Sequence, residues 1–305
     1  MKLTKERFAE GVLLFITMIW GSSFVIANIA LDAGLSPLFI LMCRFFIASL
    51  VMGIVYHKRL RKNLHLKNVK PGIILGIIFL TAFYLQMIGL KYSTPSNNAI
   101  ITSVNVVLVP FICWLIVKRR PAPINFVSCF ISLVGIAVIS VDLSSGFSLH
   151  LGDSFSVLSA VMFAAQIVAV GEMSKSSEYV TLVFTEFVTA AIIAMTLYFI
   201  TEHDLHAFIN RAGWIPILYL GVVCTCICFF LQAWSLRGVE SSRGAVIMSL
   251  ESLFGASLSI IVGIDSLNWH IVVGGLALII AVILPEIKFF KKTLYPSLKT
   301  NAHHN

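Results

Sequence analysis

Glu251 is the residue whose type and setting most invite chemistry. It stands in an apolar stretch, Met248-Ser249-Leu250-Glu251-Ser252-Leu253-Phe254. An acid in such surroundings can accept a proton or hold a cation, or it can stay neutral and fix packing through a hydrogen bond. Asn105 occupies the equivalent place in another apolar run. Each lies eight residues into its run, about 12 Å deep at 1.5 Å per helical residue. Two runs entering a hydrocarbon core about 30 Å thick from opposite faces would bring both near the middle. Gln86 and Gln232 can hydrogen-bond a ligand or hold neighbouring helices together. Ser23 and Gln166 are further polar residues in apolar runs and can line a cavity. Tyr84 and Trp234 can stack on an aromatic ligand, or belong to an interfacial belt. These eight are the candidates for lining a substrate cavity. Arg44 and Glu186 lie seven residues after Pro37 and Tyr179 and suit a structural ion pair. Their backbones would differ by about 10 Å in height, which long side chains bridge only in part.

Other chemistries find less support. The six cysteines all fall in apolar runs, where they act as small hydrophobes rather than a disulfide framework. Cys224 and Cys228, four apart, would share a helix face with Cys226 turned away. No histidine or methionine flanks them as a soft-metal site requires, so no metal is expected. The chain has no P-loop, HExxH, GxSxG or glycine-rich dinucleotide motif. No cofactor and no catalytic residue are expected. Glu172, near a helix end, reads as a snorkelling surface charge. His270 reads as interfacial, and Pro110 as a helix kink.

The elements that position these residues come from a duplication. Phe83–Pro110 recurs without gaps at Phe229–Ala256, an offset of 146 residues, with eight identities in 28 pairs. Chance would give about two or three in so biased a composition. The identical pairs include Phe83/Phe229, Gln86/Gln232 and Ser103/Ser249, and Asn105 pairs with Glu251. Ten apolar runs are expected as membrane-spanning helices, at 9–31, 37–57, 71–91, 97–117, 124–141, 153–173, 180–200, 213–236, 243–263 and 268–290. The resulting organisation is a cytoplasmic lead over 1–8, one five-helix repeat over 9–141, a second over 153–290, and a cytoplasmic tail over 291–305.

Composition makes lipid the solvent. Of 305 residues, 58% are hydrophobic and 12% charged, against about 25% charged in soluble domains. The net charge of +8 sits in short loops rather than on one face, so no nucleic-acid partner is expected. The first run is too long for a cleavable signal, and Asn28 and Asp32 at its end do not suit a cleavage site. With the N-terminus inside, 19 of the 22 lysines and arginines fall on the cytoplasmic side, and only Lys91 and Arg211 outside. Both termini are then cytoplasmic. Five spans per repeat is an odd number, so the second repeat enters from the opposite side.

At the level of motifs the chain resembles the drug/metabolite transporter superfamily, as a ten-helix protein built from two EamA domains. The resemblance rests on Trp20-Gly21-Ser22-Ser23-Phe24, on Pro37 with Arg44-Phe45, on Asn98–Pro121, and on Ala245–Gly263, and it covers nearly all of 9–290. Ser252 stands where the ninth-helix pattern has proline, and Asp265 where many members have Gly-Glu. The resemblance implies an all-α protein of two inverted five-helix repeats in the cell membrane. It also implies a central cavity between helices 1, 3, 4, 6, 8 and 9, and movement of small metabolites such as amino acids, with export favoured. The expected activity is alternating-access secondary transport by a monomer or homodimer, with possible proton coupling. A passive channel or facilitator is the alternative, and an intramembrane enzyme a second one.

Overall fold

The computed structural model describes residues 2–92, 98, 101–118, 121–140, 151–202, 204–262 and 269–284. The joint at Pro95, Asp265 and the 291–305 tail lie outside the described residues.

The described chain is helical throughout. Its elements are α1 (Lys2–Gly21), α2 (Ser23–Asp32), α3 (Pro37–Val55), α4 (His57–Asn63), α5 (Leu66–Lys91), α6 (Asn105–Val117) and α7 (Pro123–Ser140), followed by α8 (Leu151–Ser176), α9 (Tyr179–Thr201), α10 (Arg211–Leu218), a π-helical segment (Tyr219–Ile227), α11 (Cys228–Leu236), α12 (Ser241–Met248), α13 (Glu251–Val262) and α14 (Trp269–Ile283). Six stretches are long and apolar enough to cross a bilayer: Lys5–Asp32, Pro37–Val55, Leu66–Lys91, Leu151–Ser176, Tyr179–Thr201 and Arg211–Leu236. Three shorter apolar helices, Ile101–Val117, Pro123–Val138 and Val272–Ile283, fall on the fourth, fifth and tenth expected runs. The ninth is divided into α12 and α13. Large apolar side chains such as Phe46, Leu50, Leu115, Phe130, Ile192 and Ile200 are exposed on the outer surface, as hydrocarbon solvent allows.

Helix starts are set locally. Ser36 Oγ accepts from Phe39 N at 3.1 Å ahead of Pro37, and Glu178 Oε2 accepts from Thr181 N at 2.8 Å at the head of α9. Helix interruptions matter more. Ser22 N donates to Ile19 O (3.1 Å), Val104 N to Ile101 O (3.2 Å) and Leu250 N to Ile247 O (3.2 Å). Each is an i→i−3 turn inserted into an apolar run, a local tightening that often marks a hinge. The second and third are separated by the 146 residues of the duplication. At the first and third, a serine hydroxyl competes for a helix carbonyl. Ser22 Oγ donates to Ile19 O and Ser249 Oγ to Val246 O, both at 2.7 Å. The ninth run is therefore interrupted with no proline at the joint. Pro110 lies inside α6.

Side-by-side packing pairs α3 with α9, α5 with α8, and α7 with α14, while α1 lies against α11 and α13. Small residues permit the closest crossings. A Cβ on Gly21 would lie 2.8 Å from Gly255 N and 3.1 Å from Glu251 O, so α1 and α13 touch through their backbones. Phe45, Phe79, Phe83, Phe163, Phe187 and Phe229 form an aromatic nest, with centroids as close as 4.5 Å for Phe79–Phe229. All six are buried in the core.

Candidate functional site

The interruptions meet around one cavity of about 70 Å³. From the α1–α2 joint come Trp20, Ser23 and Phe24; from α3, Arg44; from α5, Phe83 and Gln86. Thr102, Ser103 and Asn105 enter at the head of α6. Phe163, Gln166 and Ile167 enter from α8, Phe229 and Gln232 from α11, and Met248, Ser249 and Glu251 from the α12–α13 joint. Asn105 and Glu251, the duplicated pair, are each the first residue of a helix segment. The backbone stays bonded through both joints, Val107 N donating to Val104 O at 3.0 Å and Ser252 N to Ser249 O at 3.4 Å. The two interrupted runs touch through Ser103 Oγ and Ser252 Oγ, 3.1 Å apart.

Six of the eight expected residues, Ser23, Gln86, Asn105, Gln166, Gln232 and Glu251, line this one cavity. Tyr84 and Trp234 do not. Residues two apart on a helix point to nearly opposite sides, so turning Gln86 and Gln232 inward turns Tyr84 and Trp234 away. Tyr84 is half-buried against the core, and Trp234 meets Phe8 edge-on at 5.8 Å. The aromatic lining comes instead from Phe83 and Phe229, three residues before each glutamine. Their identity across the duplication was the signal for this. Trp20 and Phe163 carried no such mark. The Trp20 indole is fixed, donating to Cys224 O at 2.9 Å.

Arg44 and Glu186 are not joined by an ion pair among the described residues. Arg44 belongs to the cavity. Its Nε donates to Thr225 Oγ1, and its guanidinium carbon lies 4.1 Å from the Phe83 centroid. Thr225 Oγ1 in turn donates to Leu220 O at 2.7 Å, inside the π-helical segment. Glu186, fully buried, accepts from Gln166 Nε2 at 3.1 Å. Each instead has a neutral partner, Thr225 for Arg44 and Gln166 for Glu186. Arg44 and Glu251 line the same cavity without forming an ion pair among the described residues. Gln232 Nε2 reaches Met248 Sδ at 3.5 Å. Among the described residues, neither Gln166 Oε1 nor Gln232 Oε1 has a hydrogen-bond partner.

The remaining expectations are placed as follows. Glu172 bonds Lys175 at 2.7 Å on the surface. His270 stacks on Trp269 at 3.8 Å. All six cysteines are buried with free thiols. Cys224 and Cys226 lie in π winding, so α-helical spacing does not describe their faces. Among the described residues no three metal-ligating side chains cluster.

The model of the EamA-like transporter family matches residues 8–141 and again residues 150–285. An uncharacterized transporter of Archaeoglobus fulgidus is 30% identical over 285 residues, covering 93% of this chain and 87% of that protein. The uncharacterized transporter YcxC of Bacillus subtilis is 24% identical over 298 residues, 93% of this chain and 95% of its own. A crystal structure at 14% identity superposes with a TM-score of 0.75, over 93% of this chain and 98% of that one, a likeness of fold alone.

Proposed function

Because this chain belongs to the EamA-like transporter family and is a multi-pass membrane transporter, we propose that it carries small zwitterionic metabolites, amino acids or close relatives, by alternating access. The observation that carries this reading is the pairing of Arg44 with Glu251. The base and the acid line one cavity without being joined to each other, and amides and hydroxyls share the lining. A cargo carboxylate suits the guanidinium. Its ammonium suits the Glu251 carboxylate. The aromatic side chains accommodate an apolar substituent. The cavity is well below the roughly 300–1,000 Å³ of drug-sized sites, which favours a small cargo and a site that widens to load it.

Alternating access is supported by the internal symmetry. A five-helix shift carries the contact of α5 with α8 onto that of α11 with α1. It also carries the interruption at Val104 onto that at Leu250. We read ten spans in two inverted repeats, in the cell membrane, with cytoplasmic termini from the lysine and arginine distribution. The cytoplasmic end of α12 is then held shut. Glu10 pairs with Arg243 at 3.0 Å, Arg243 Nη1 also donates to Val282 O, and Asn125 Nδ2 donates to Glu240 Oε1 at 3.1 Å.

Glu251 can hold a proton or the cargo ammonium, but not both. That competition makes the transporter a proton antiporter, and an inward proton gradient then drives export. Counterflow in proteoliposomes tests the reading. Vesicles loaded with unlabelled amino acid accumulate the labelled form, and flux saturates. Flux that neither saturates nor shows counterflow would mean a channel, the second reading. The unlike pair Asn105 and Glu251 speaks against that, since a pore needs a ring of like groups. Recovery of a chemically altered solute would mean an enzyme.

A further inference from the structure

Away from the central cavity, a groove of about 550 Å³ runs down the outer surface between α3 and α9. Its walls are Phe46, Leu50 and Ile54 on one side and Phe184 and Val188 on the other, with His57 at one end. Gly53 opens its floor. A Cβ there would approach the Phe184 ring to 3.3 Å, so any larger residue would narrow the channel. From Phe46 to His57 is eleven residues, about 16 Å of helix. That matches half of a hydrocarbon core about 30 Å thick. The groove is therefore one leaflet deep and faces lipid.

The end at His57 opens under a basic segment. Lys58, Arg61 and Lys62 on α4 and Lys67 and Lys70 on α5 are exposed. Among the described residues none of the five has an acidic partner, whereas Arg59 is already committed to Glu178 at 2.7 Å. Leu64 and Leu66 are exposed between them, 46% and 79%, as in a segment that dips into the headgroup layer. Four to eight cations beside a membrane helix attract anionic headgroups.

We infer that the groove between α3 and α9 seats one acyl chain of an anionic phospholipid whose headgroup is held by the α4 cations. The chain supplies the apolar surface that Gly53 and Ser49 leave uncovered, and the phosphate meets Lys58, Arg61 and Lys62. Location on the bilayer-facing side and charge at the correct end together select lipid as the occupant.

The test is lipid retention by purified protein in detergent, read by native mass spectrometry and by melting. The probes are phosphatidylglycerol, phosphatidylcholine and free glycerol phosphate. Wild type should retain phosphatidylglycerol over phosphatidylcholine by roughly tenfold or more, and free glycerol phosphate should not compete. Ser49→Phe, which fills the groove, should reduce the preference to about twofold. Lys58→Gln/Arg61→Gln/Lys62→Gln, at exposed positions that leave the fold alone, should do the same. Equal retention of both lipids overturns the proposal, as does a preference that survives the two variants. Competition by free glycerol phosphate would mean that the cations act without the groove. A dimer dissociated by Ser49→Phe would mean that a second copy occupies it.

Discussion

At the scale of the residue, the proposed site would divide its polar groups between cargo and scaffold. Arg44 is held by Thr225 and by the Phe83 face, which leaves its outer nitrogens for a ligand. Arg44→Lys keeps the charge but loses the fork and the stack. Its KM in counterflow should rise about tenfold with little change in melting temperature. Glu251→Gln keeps shape and loses the acid, so a pH gradient should no longer drive flux. Uptake matching wild type at every pH would remove Glu251 from coupling. Tyr84→Leu and Trp234→Leu serve as controls and should transport normally, because both side chains face away from the cavity. The placement of these residues around the cavity also separates two ways of reading them from sequence. The duplication marked Gln86, Gln232, Asn105 and Glu251 because identity or equivalence across copies does not depend on knowing a helix's rotation. Tyr84 and Trp234 were chosen by nearness in sequence, and a shift of two residues crosses a helix. Arg44 was matched to Glu186 by equivalent position, seven residues after Pro37 and Tyr179, with the π-helical segment that supplies Thr225 invisible in the residue pattern.

At the scale of the element, the interruptions bring cavity-lining residues together, and they were the least legible feature. Continuous apolar runs such as Leu66–Lys91 announced themselves by length and composition. The turns at Ser22 and Leu250 did not, because no proline marks them; a serine bonding back to a helix carbonyl does the work. The crossing of α1 and α13 at Gly21 holds one such joint against the Glu251 turn. Gly21→Ala must push the two backbones apart, and overpacking of this kind costs about 1–3 kcal/mol. Thermal melting should show that loss, together with reduced transport. Gly11→Ala, on the same helix with nothing within 4 Å of the added Cβ, should leave both unchanged. Between elements, Glu240 offers a pH readout outside the membrane. Burial raises its carboxyl above the ordinary range, against the opposing bond from Asn125 and the charge of Lys175. A raised folded value means the folded state binds the proton more tightly. Its ionisation therefore lowers stability as pH rises from the unfolded value through the folded one. Glu240→Gln keeps the Asn125 bond. It should melt above wild type near about pH 7.5, with the difference vanishing toward about pH 4. An unchanged gap across that range would refute the assignment.

At the scale of the whole molecule, two copies of one unit enclose a shared site, and the state described is tied at the end of α12. Glu10 and Arg243 are the strongest tie, with side chains only 17% and 10% exposed. Opening that end must break the pair and leave both charges to water. Removing one partner therefore lowers the energy of the open state relative to the closed one. Ser241, three per cent exposed at the head of α12 and against Gly171 of α8, is shielded while the tie holds. With Ser241→Cys as reporter, Glu10→Gln should speed maleimide labelling from the cytoplasmic side by about tenfold, equivalent to roughly 1.4 kcal/mol. The six native thiols are buried and give a low background. The charge-swapped pair Glu10→Arg/Arg243→Glu should return labelling toward the starting rate. If Glu10→Gln leaves the rate unchanged, the pair is ordinary packing and the closed end lies elsewhere. If labelling rises only when reagent is applied from the opposite side, the orientation drawn from the basic residues is reversed, and the direction of transport with it.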